Sequence, residues 1–215
     1  MKPVRVIVVD DNFFVRAGLR ALLNQGRDIE IVAEASGGRE ALQLLENATP
    51  DVMLLDISMP EMDGLDVAAR VADEFPSVRV IMLSAYVDAA RIRRAMLAGV
   101  AGYVAKDDTD EVVSAVKAVA AGGTHFSAQV TQRIATDRSR ESYGVPLTGV
   151  LPTRQNEILK LVAHGLAVKE IAVRLNIPAR VAEAHIARLM ERLGVRDIDG
   201  LVYQASRLGL TPPDK

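Results

Sequence analysis

The sequence predicts an α/β protein in which a doubly wound, five-stranded parallel sheet is followed by a small all-α unit. Two patterns carry that expectation. Five short apolar runs alternate with amphipathic stretches of helical period in the N-terminal part, and beyond residue 150 four closely spaced helical patterns follow with only short breaks between them. Successive βα units bury a parallel sheet between two layers of helices, joined by right-handed crossovers. A chain of 215 residues, 49% of them apolar, has room for one large domain or two ordinary ones and enough apolar surface for a real core.

The first strand, Val4–Val9, ends in Asp10-Asp11, and the helix after it is marked by Phe14, Ala17, Leu19, Leu22 and Leu23. A second strand, Ile29–Ala35, leads to a helix marked by Ala41, Leu42, Leu44 and Leu45. The third strand, Val52–Leu55, lies between Pro50 and the turn Met59-Pro60-Glu61-Met62-Asp63-Gly64, and its period is neither two nor 3.6. A short apolar run between breakers reads as a strand buried on both faces. Asp56 stands at its end. Leu65, Val67, Ala68 and Val71 mark the next helix, Val78–Leu83 the fourth strand, and Ile92, Ala95, Met96 and Leu97 a fourth helix. Ala101–Ala105 is the fifth strand, and Val112, Val113, Val116 and Val119 mark the fifth helix.

After Phe126 the pattern loosens. Ser127–Ile134 has the makings of a short helix, but Ala135–Val150 mixes charged, Ser, Gly and Pro residues without period and reads as linker. The expected domains are 1–126, a linker over 127–150, and 151–215. Within the last, the helices are expected at Gln155–His164, Val168–Leu175, Ala179–Leu193 and Ile198–Leu208, with breaks at Gly165, Asn176-Ile177-Pro178 and Gly194. That arrangement fits a helix-turn-helix unit.

The net charge of −2 hides an asymmetry. Residues 1–126 carry 13 Lys and Arg against 19 Asp and Glu, whereas residues 151–215 carry 10 against 7. The basic end is compatible with a nucleic-acid partner without establishing one. The absence of cysteine excludes disulfides, thiolate metal sites and a cysteine nucleophile. The opening Met1-Lys2-Pro3 runs into an apolar stretch too short for a signal-peptide core or a bilayer span, so a cytoplasmic protein without a membrane partner is expected.

In open parallel sheets the ligand crevice lies at the carboxyl ends of the strands, where strand order reverses. With the order 2-1-3-4-5 that point falls between strands one and three, which end in Asp10-Asp11 and Asp56. Strand four ends at Ser84 and strand five at Lys106, so a hydroxyl and an ammonium join three carboxylates on one rim. Asp10, Asp11 and Asp56 make a hard oxygen site suited to Mg²⁺. Asp56 can act as a nucleophile toward phosphorus, Lys106 can neutralise a phosphoryl group and Ser84 can hydrogen-bond it. Each residue alone has a plainer reading. Asp10-Asp11-Asn12 could simply cap a helix, Ser84 a turn, Lys106 could be a solvated lysine and Tyr103 a core residue.

These residues, with Tyr103 and the Met59–Gly64 turn, resemble the receiver domain of bacterial two-component response regulators over residues 4–121. The resemblance implies a flavodoxin-like fold, Mg²⁺ held by Asp10, Asp11 and Asp56, and phosphorylation of Asp56 from a phosphohistidine on a cognate sensor histidine kinase. It further implies Ser84 and Tyr103 as the switch pair. Asp107 follows Lys106 where many receivers carry proline.

Leu151–Leu193 resembles the helix-turn-helix of the NarL/FixJ, or LuxR-type, regulators through Leu151, Arg154, Glu157-Ile158-Leu159, Gly165, Lys169-Glu170-Ile171-Ala172, Leu175, Ile177, His185, Leu189 and Leu193-Gly194-Val195. The resemblance implies duplex promoter DNA as partner and a homodimer when phosphorylated. Helix 179–193 would be the recognition helix, burying Ala182, Ile186, Leu189 and Leu193. It would present Arg180, Val181, Glu183, Ala184, Ala187 and Arg188, with Lys169, Arg192 and Arg196 offering further phosphate contacts. Where the family usually reads Ser-x-x-Thr-Val-Lys-x-His, this chain reads Pro178-Ala179-Arg180-Val181-Ala182-Glu183-Ala184-His185. A carboxylate pointed into the groove is repelled by phosphate but can accept a hydrogen bond from cytosine N4.

The leading expectation is a phosphorylation-switched, DNA-binding transcription regulator, not an enzyme, with an atypical recognition helix. The alternative is a response regulator whose helical domain has lost specific DNA binding and acts through protein contacts. An aspartyl-phosphate phosphatase would want a second acid two residues after the nucleophile, where this chain has Ser58.

Overall fold

A computed structural model describes residues 2–136, 151, 153–208 and 210. The chain divides into two compact units, one α/β and one all-helical. Of the stretch read as linker, 127–150, residues 137–150 lie outside the described residues, whereas residues Ala128–Thr136 depart from that reading and form a helix packed on the α/β unit.

In the α/β unit, β1 (Val4–Val9), α1 (Phe13–Leu23), β2 (Ile29–Ala35), α2 (Gly38–Ala48), β3 (Val52–Asp56), α3 (Gly64–Glu74), β4 (Arg79–Ser84), α4 (Ala89–Leu97), β5 (Gly102–Ala105) and α5 (Glu111–Ala120) follow in strict alternation. The strands pair in parallel in the order β2-β1-β3-β4-β5, extended by a sixth strand, β6 (His125–Phe126). This two-residue strand is the departure from the expected five. It has no sequence period of its own and is defined by its bonds to β5, from the His125 N–H to the Ala101 carbonyl and from the Ser127 N–H to the Tyr103 carbonyl. The next helix, α6 (Ala128–Thr136), buries Val130 and packs on β5 and α4.

The central strands are buried along their whole length, as their unbroken apolar runs require. One core layer joins Val6, Val8, Leu54, Ile81 and Leu83 of the sheet to Leu19 and Leu23 of α1 and Val112, Val116 and Val119 of α5. Phe14, read as part of the apolar face of α1, lies instead in the helix's first turn and is 81% exposed; Phe13 beside it is also exposed.

The helical unit comprises α7 (Thr153–Ala163), α8 (Val168–Leu175), α9 (Ala179–Leu193) and α10 (Ile198–Arg207). Ile158, Leu159, Ile171, Ala182, Ile186, Leu189 and Leu201 form its core, and Leu193 packs against it half-buried. Helix α8 begins with the Glu170 carboxylate accepting from the Ala167 N–H and ends on Asn176, whose left-handed backbone (φ +52°) turns the chain into α9. Among the described residues no helix is long and apolar enough to cross a membrane.

Candidate functional site

The switch in strand order falls between β1 and β3, and the side chains singled out from the sequence meet at the carboxyl ends of these strands. One carboxylate oxygen from each of Asp10, Asp11 and Asp56 lies within 4.8 Å of the others. Asp10 and Asp56 are buried and Asp11 is exposed, so the cluster opens to solvent on the Asp11 side. Lys106, at the end of β5, reaches across the rim and places Nζ 2.6 Å from Asp10 Oδ2 and 2.9 Å from Asp56 Oδ1. Two carboxylates buried this close need such a cation.

The backbone around the site is fixed from several directions. The Asn12 side chain caps α1 by accepting from the Phe14 N–H, and Asp10 Oδ1 accepts from the Asn12 N–H, so the capping and site roles of this loop coexist. Arg16 donates to the Asp10 carbonyl at 2.7 Å and lies beside Glu34. The Ile57 N–H bonds to the Leu83 carbonyl and the Lys106 N–H to the Ser84 carbonyl, tying the three strand ends together. Gly64 opens α3 directly against the strand end; a Cβ there would sit 1.9 Å from the Asp56 carbonyl oxygen.

Ser84 and Tyr103 are both buried, and both hydroxyls donate to one acceptor, the Tyr86 carbonyl, at 2.7 and 3.2 Å. Ser84 Oγ also accepts from the Tyr86 N–H. The residue that couples this pair, Tyr86, was not singled out in the sequence because it contributes main-chain atoms, which leave no composition signal. Arg16 was missed as well, and Gly64 was read only as the close of the turn after Asp56, not as a residue packed against the strand end.

Burial pushes the Asp56 carboxyl above the usual carboxylate range; the Lys106 hydrogen bond and charge oppose this, while the charges of Asp10 and Asp11 add to it. For Lys106, burial alone would lower the ammonium, but its bonds to Asp10 and Asp56 and their charges raise it overall. Stability from a raised cation is fully present below its ordinary value and is lost as pH rises through the raised one, so the ammonium's side of this pairing is lost in strong alkali. Lys106→Met is expected to destabilise the α/β unit by about 2 kcal/mol at neutral pH. This is below the usual 3–5 for a broken buried pair, because the ammonium keeps part of its hydration. The deficit should shrink in acid, where the stranded Asp56 carboxyl takes up its proton, and melting curves across pH check both points.

In the helical unit, Lys169 on α8 and Arg180, Glu183 and Ala187 on α9 are exposed, and Ala184, Arg188 and Arg192 are half-buried. Arg192 donates to Gln155 of α7 at 3.4 Å. Val181, expected to be presented, is buried, on the same stripe of α9 as the buried His185 and Leu189 at i, i+4 and i+8. Arg196 is exposed.

A parallel sheet with an acidic cluster and a lysine at its switch point, followed by a four-helix unit, defines a two-part signalling protein, and comparisons with known proteins agree. Residues 6–117 match the response regulator receiver domain, and residues 149–205 match the bacterial regulatory proteins of the luxR family. The chain is 36% identical over 208 residues to the transcriptional regulatory protein MctR of Rhizobium johnstonii, covering 96% of this chain and 95% of that one. It is 30% identical to the response regulator protein VraR of Staphylococcus saprophyticus, covering 91% and 92%. Among solved structures, a LuxR-family two-component response regulator from Aurantimonas sp. SI85-9A1 superposes with a TM-score of 0.62 at 31% identity, covering 64% of this chain and 99% of that one. The chain therefore belongs to the two-component response regulators, the transcription regulators that join a receiver domain to a luxR-type helix-turn-helix domain.

Proposed function

We propose that the protein accepts a phosphoryl group on Asp56 and converts its presence into altered binding of duplex promoter DNA by the helical domain, without an enzymatic activity on other substrates. The observation that carries this reading is the convergence of Asp10, Asp11, Asp56 and Lys106 at one strand edge. The donor set is all-carboxylate and partly open to water, which fits Mg²⁺ better than a softer ion. Asp10, Asp11 and Asp56 would hold it, and when bound it supplies positive charge against the phosphoryl oxygens.

The chain's own residues do the rest. An Asp56 carboxylate oxygen attacks phosphorus of a phosphohistidine on a sensor kinase. The phosphorus–nitrogen bond breaks, and its electron pair leaves with the imidazole. Lys106 exchanges its contact with Asp56 for the incoming phosphoryl oxygens and adds its charge to that of the metal. Ser84 turns its hydroxyl from the Tyr86 carbonyl to the phosphoryl group, and Tyr103, which shares that acceptor, registers the change. Incorporation of one phosphoryl group per chain from a small phosphodonor, released by alkali or hydroxylamine, dependent on Mg²⁺ and abolished by chelation, tests the receiver half; absence of incorporation would overturn it.

For the output half, the exposed Lys169 and Arg180 supply phosphate contacts at and before the start of α9, with the half-buried Arg188 and Arg192 further along it. The boundaries 1–126, 127–150 and 151–215, a homodimer on phosphorylation and a cytoplasmic location complete the proposal. Affinity for duplex DNA is expected to fall steeply with salt, and Arg180→Ala to reduce the slope of log affinity against log salt by about 1. If the phosphorylated dimer binds no DNA even at low salt, the helical domain works through protein contacts instead.

A further inference from the structure

Helix α9 is buried along Ala182, Ile186 and Leu189. Its opposite stripe runs through Arg180, Glu183, Ala187 and Glu191 at i, i+3, i+7 and i+11, all exposed. Glu183 stands in the N-terminal half of this stripe, the part of a recognition helix that meets base edges. Its helical neighbours at three and four positions are Ala179, Arg180, Ile186 and Ala187, so Arg180 is the sole cation within reach along the helix. Among the described residues, neither Arg180 nor any other group hydrogen-bonds or ion-pairs with the Glu183 carboxylate. Ala184 and Ala187, flanking it, are too short to screen it from an approaching surface.

A carboxylate in a major groove can only accept hydrogen bonds. Guanine offers N7 and O6 and thymine O4, all acceptors, which would leave Glu183 desolvated against like partial charge; adenine offers an amino group next to an N7 acceptor; cytosine offers its N4 amino group. Resting on the DNA-binding reading above, we propose that Glu183 is a specificity-determining residue that requires cytosine at one step of each half-site, while Ala184 and Ala187 allow the close approach and meet methyl groups of neighbouring thymines. The same carboxylate that weakens sequence-independent attraction to phosphate would thereby sharpen discrimination: wrong bases are rejected by repulsion rather than by lost attraction.

The test is selection from a randomised duplex library by the full-length protein, with and without a phosphodonor and Mg²⁺, for wild type, Glu183→Ala and Glu183→Lys. Wild type is expected to enrich one cytosine per half-site with about tenfold discrimination over other bases. In Glu183→Ala that single position should relax while the remaining consensus persists, and in Glu183→Lys it should move to guanine. Glu183 is exposed, so both variants should fold, and matching far-ultraviolet spectra check this. Tighter binding of Glu183→Ala to all sequences with an unchanged consensus would overturn the inference and leave DNA binding intact. No enrichment by wild type at low salt would overturn the DNA-binding reading and the inference with it.

Discussion

Asp56→Asn is expected to abolish phosphoryl uptake and, in the same molecule, to raise the melting temperature of the α/β unit at neutral pH. The first effect follows from chemistry: an amide lacks the anionic oxygen that attacks phosphorus, so labelling should fall to background rather than to a fraction. The second follows from the cost of the carboxylate in its resting state. Burial raises the Asp56 carboxyl above its ordinary value, against the pull of Lys106. A raised carboxyl binds its proton more tightly in the folded than in the unfolded chain. Stability is therefore highest below the ordinary carboxylate value and declines as pH rises through the raised one. The neutral amide escapes that loss, while Lys106 keeps Asp10 at 2.6 Å. The stabilisation should accordingly be present at pH 7 and fade in acid, where the wild-type carboxyl is protonated too. Mg²⁺ should raise the melting point of wild type more than that of the variant, since the variant has lost one anionic ligand. A variant that still takes up a phosphoryl group would show that Asp56 is not the acceptor, and one that melts lower than wild type at pH 7 would show that the buried carboxylate is not a charge the fold tolerates at a cost.

The opposed effects of one substitution explain why so much of this site was legible in the sequence. Asp56 at the end of the buried run Val52–Leu55 is a local inconsistency, a charge where packing alone would place an apolar residue, and such conflicts mark function. Asp10, Ser84 and Lys106 showed the same conflict at other strand ends, and the strand order alone sufficed to bring them together. Where the reading fell short, the deciding interaction had no side-chain signature. β6 exists because two residues find main-chain partners on β5. The acceptor shared by Ser84 and Tyr103 is a carbonyl. Val181 was placed on the outer face because the family comparison assigns that position to DNA, whereas the helical period of this chain aligns it with His185 and Leu189. Phe14 shows the converse error: an apolar residue at the right spacing whose turn has no core to face.

Gly64→Ala is expected to be the most damaging single-methyl change in the α/β unit. In most helix positions glycine to alanine stabilises, because alanine orders more cheaply. Here the sign reverses. The added Cβ would fall 1.9 Å from the Asp56 carbonyl oxygen, 2.9 Å from the Asp56 carbonyl carbon and 2.9 Å from Ile57 Cα, all backbone atoms that no rotamer change can move. The Gly64 N–H is meanwhile held by the Ile57 carbonyl at 2.8 Å, so the helix cannot back away without breaking the bond that seats it. Either α3 lifts from the strand end or β3 gives way, at a cost of about 3 kcal/mol or more. For a unit of this size that lowers the melting point by on the order of 15 °C. The same displacement moves the Asp56 backbone relative to Asp10 and Asp11, and a metal site tolerates only about 0.5 Å of such error. Mg²⁺ affinity should therefore fall even at temperatures where the variant is folded. Melting curves with and without Mg²⁺ separate the two effects. A loss of stability with unchanged Mg²⁺ affinity would place the strain in α3 alone, whereas loss of both would show that the glycine is needed because the start of α3 and the phosphoryl-accepting strand share the same space.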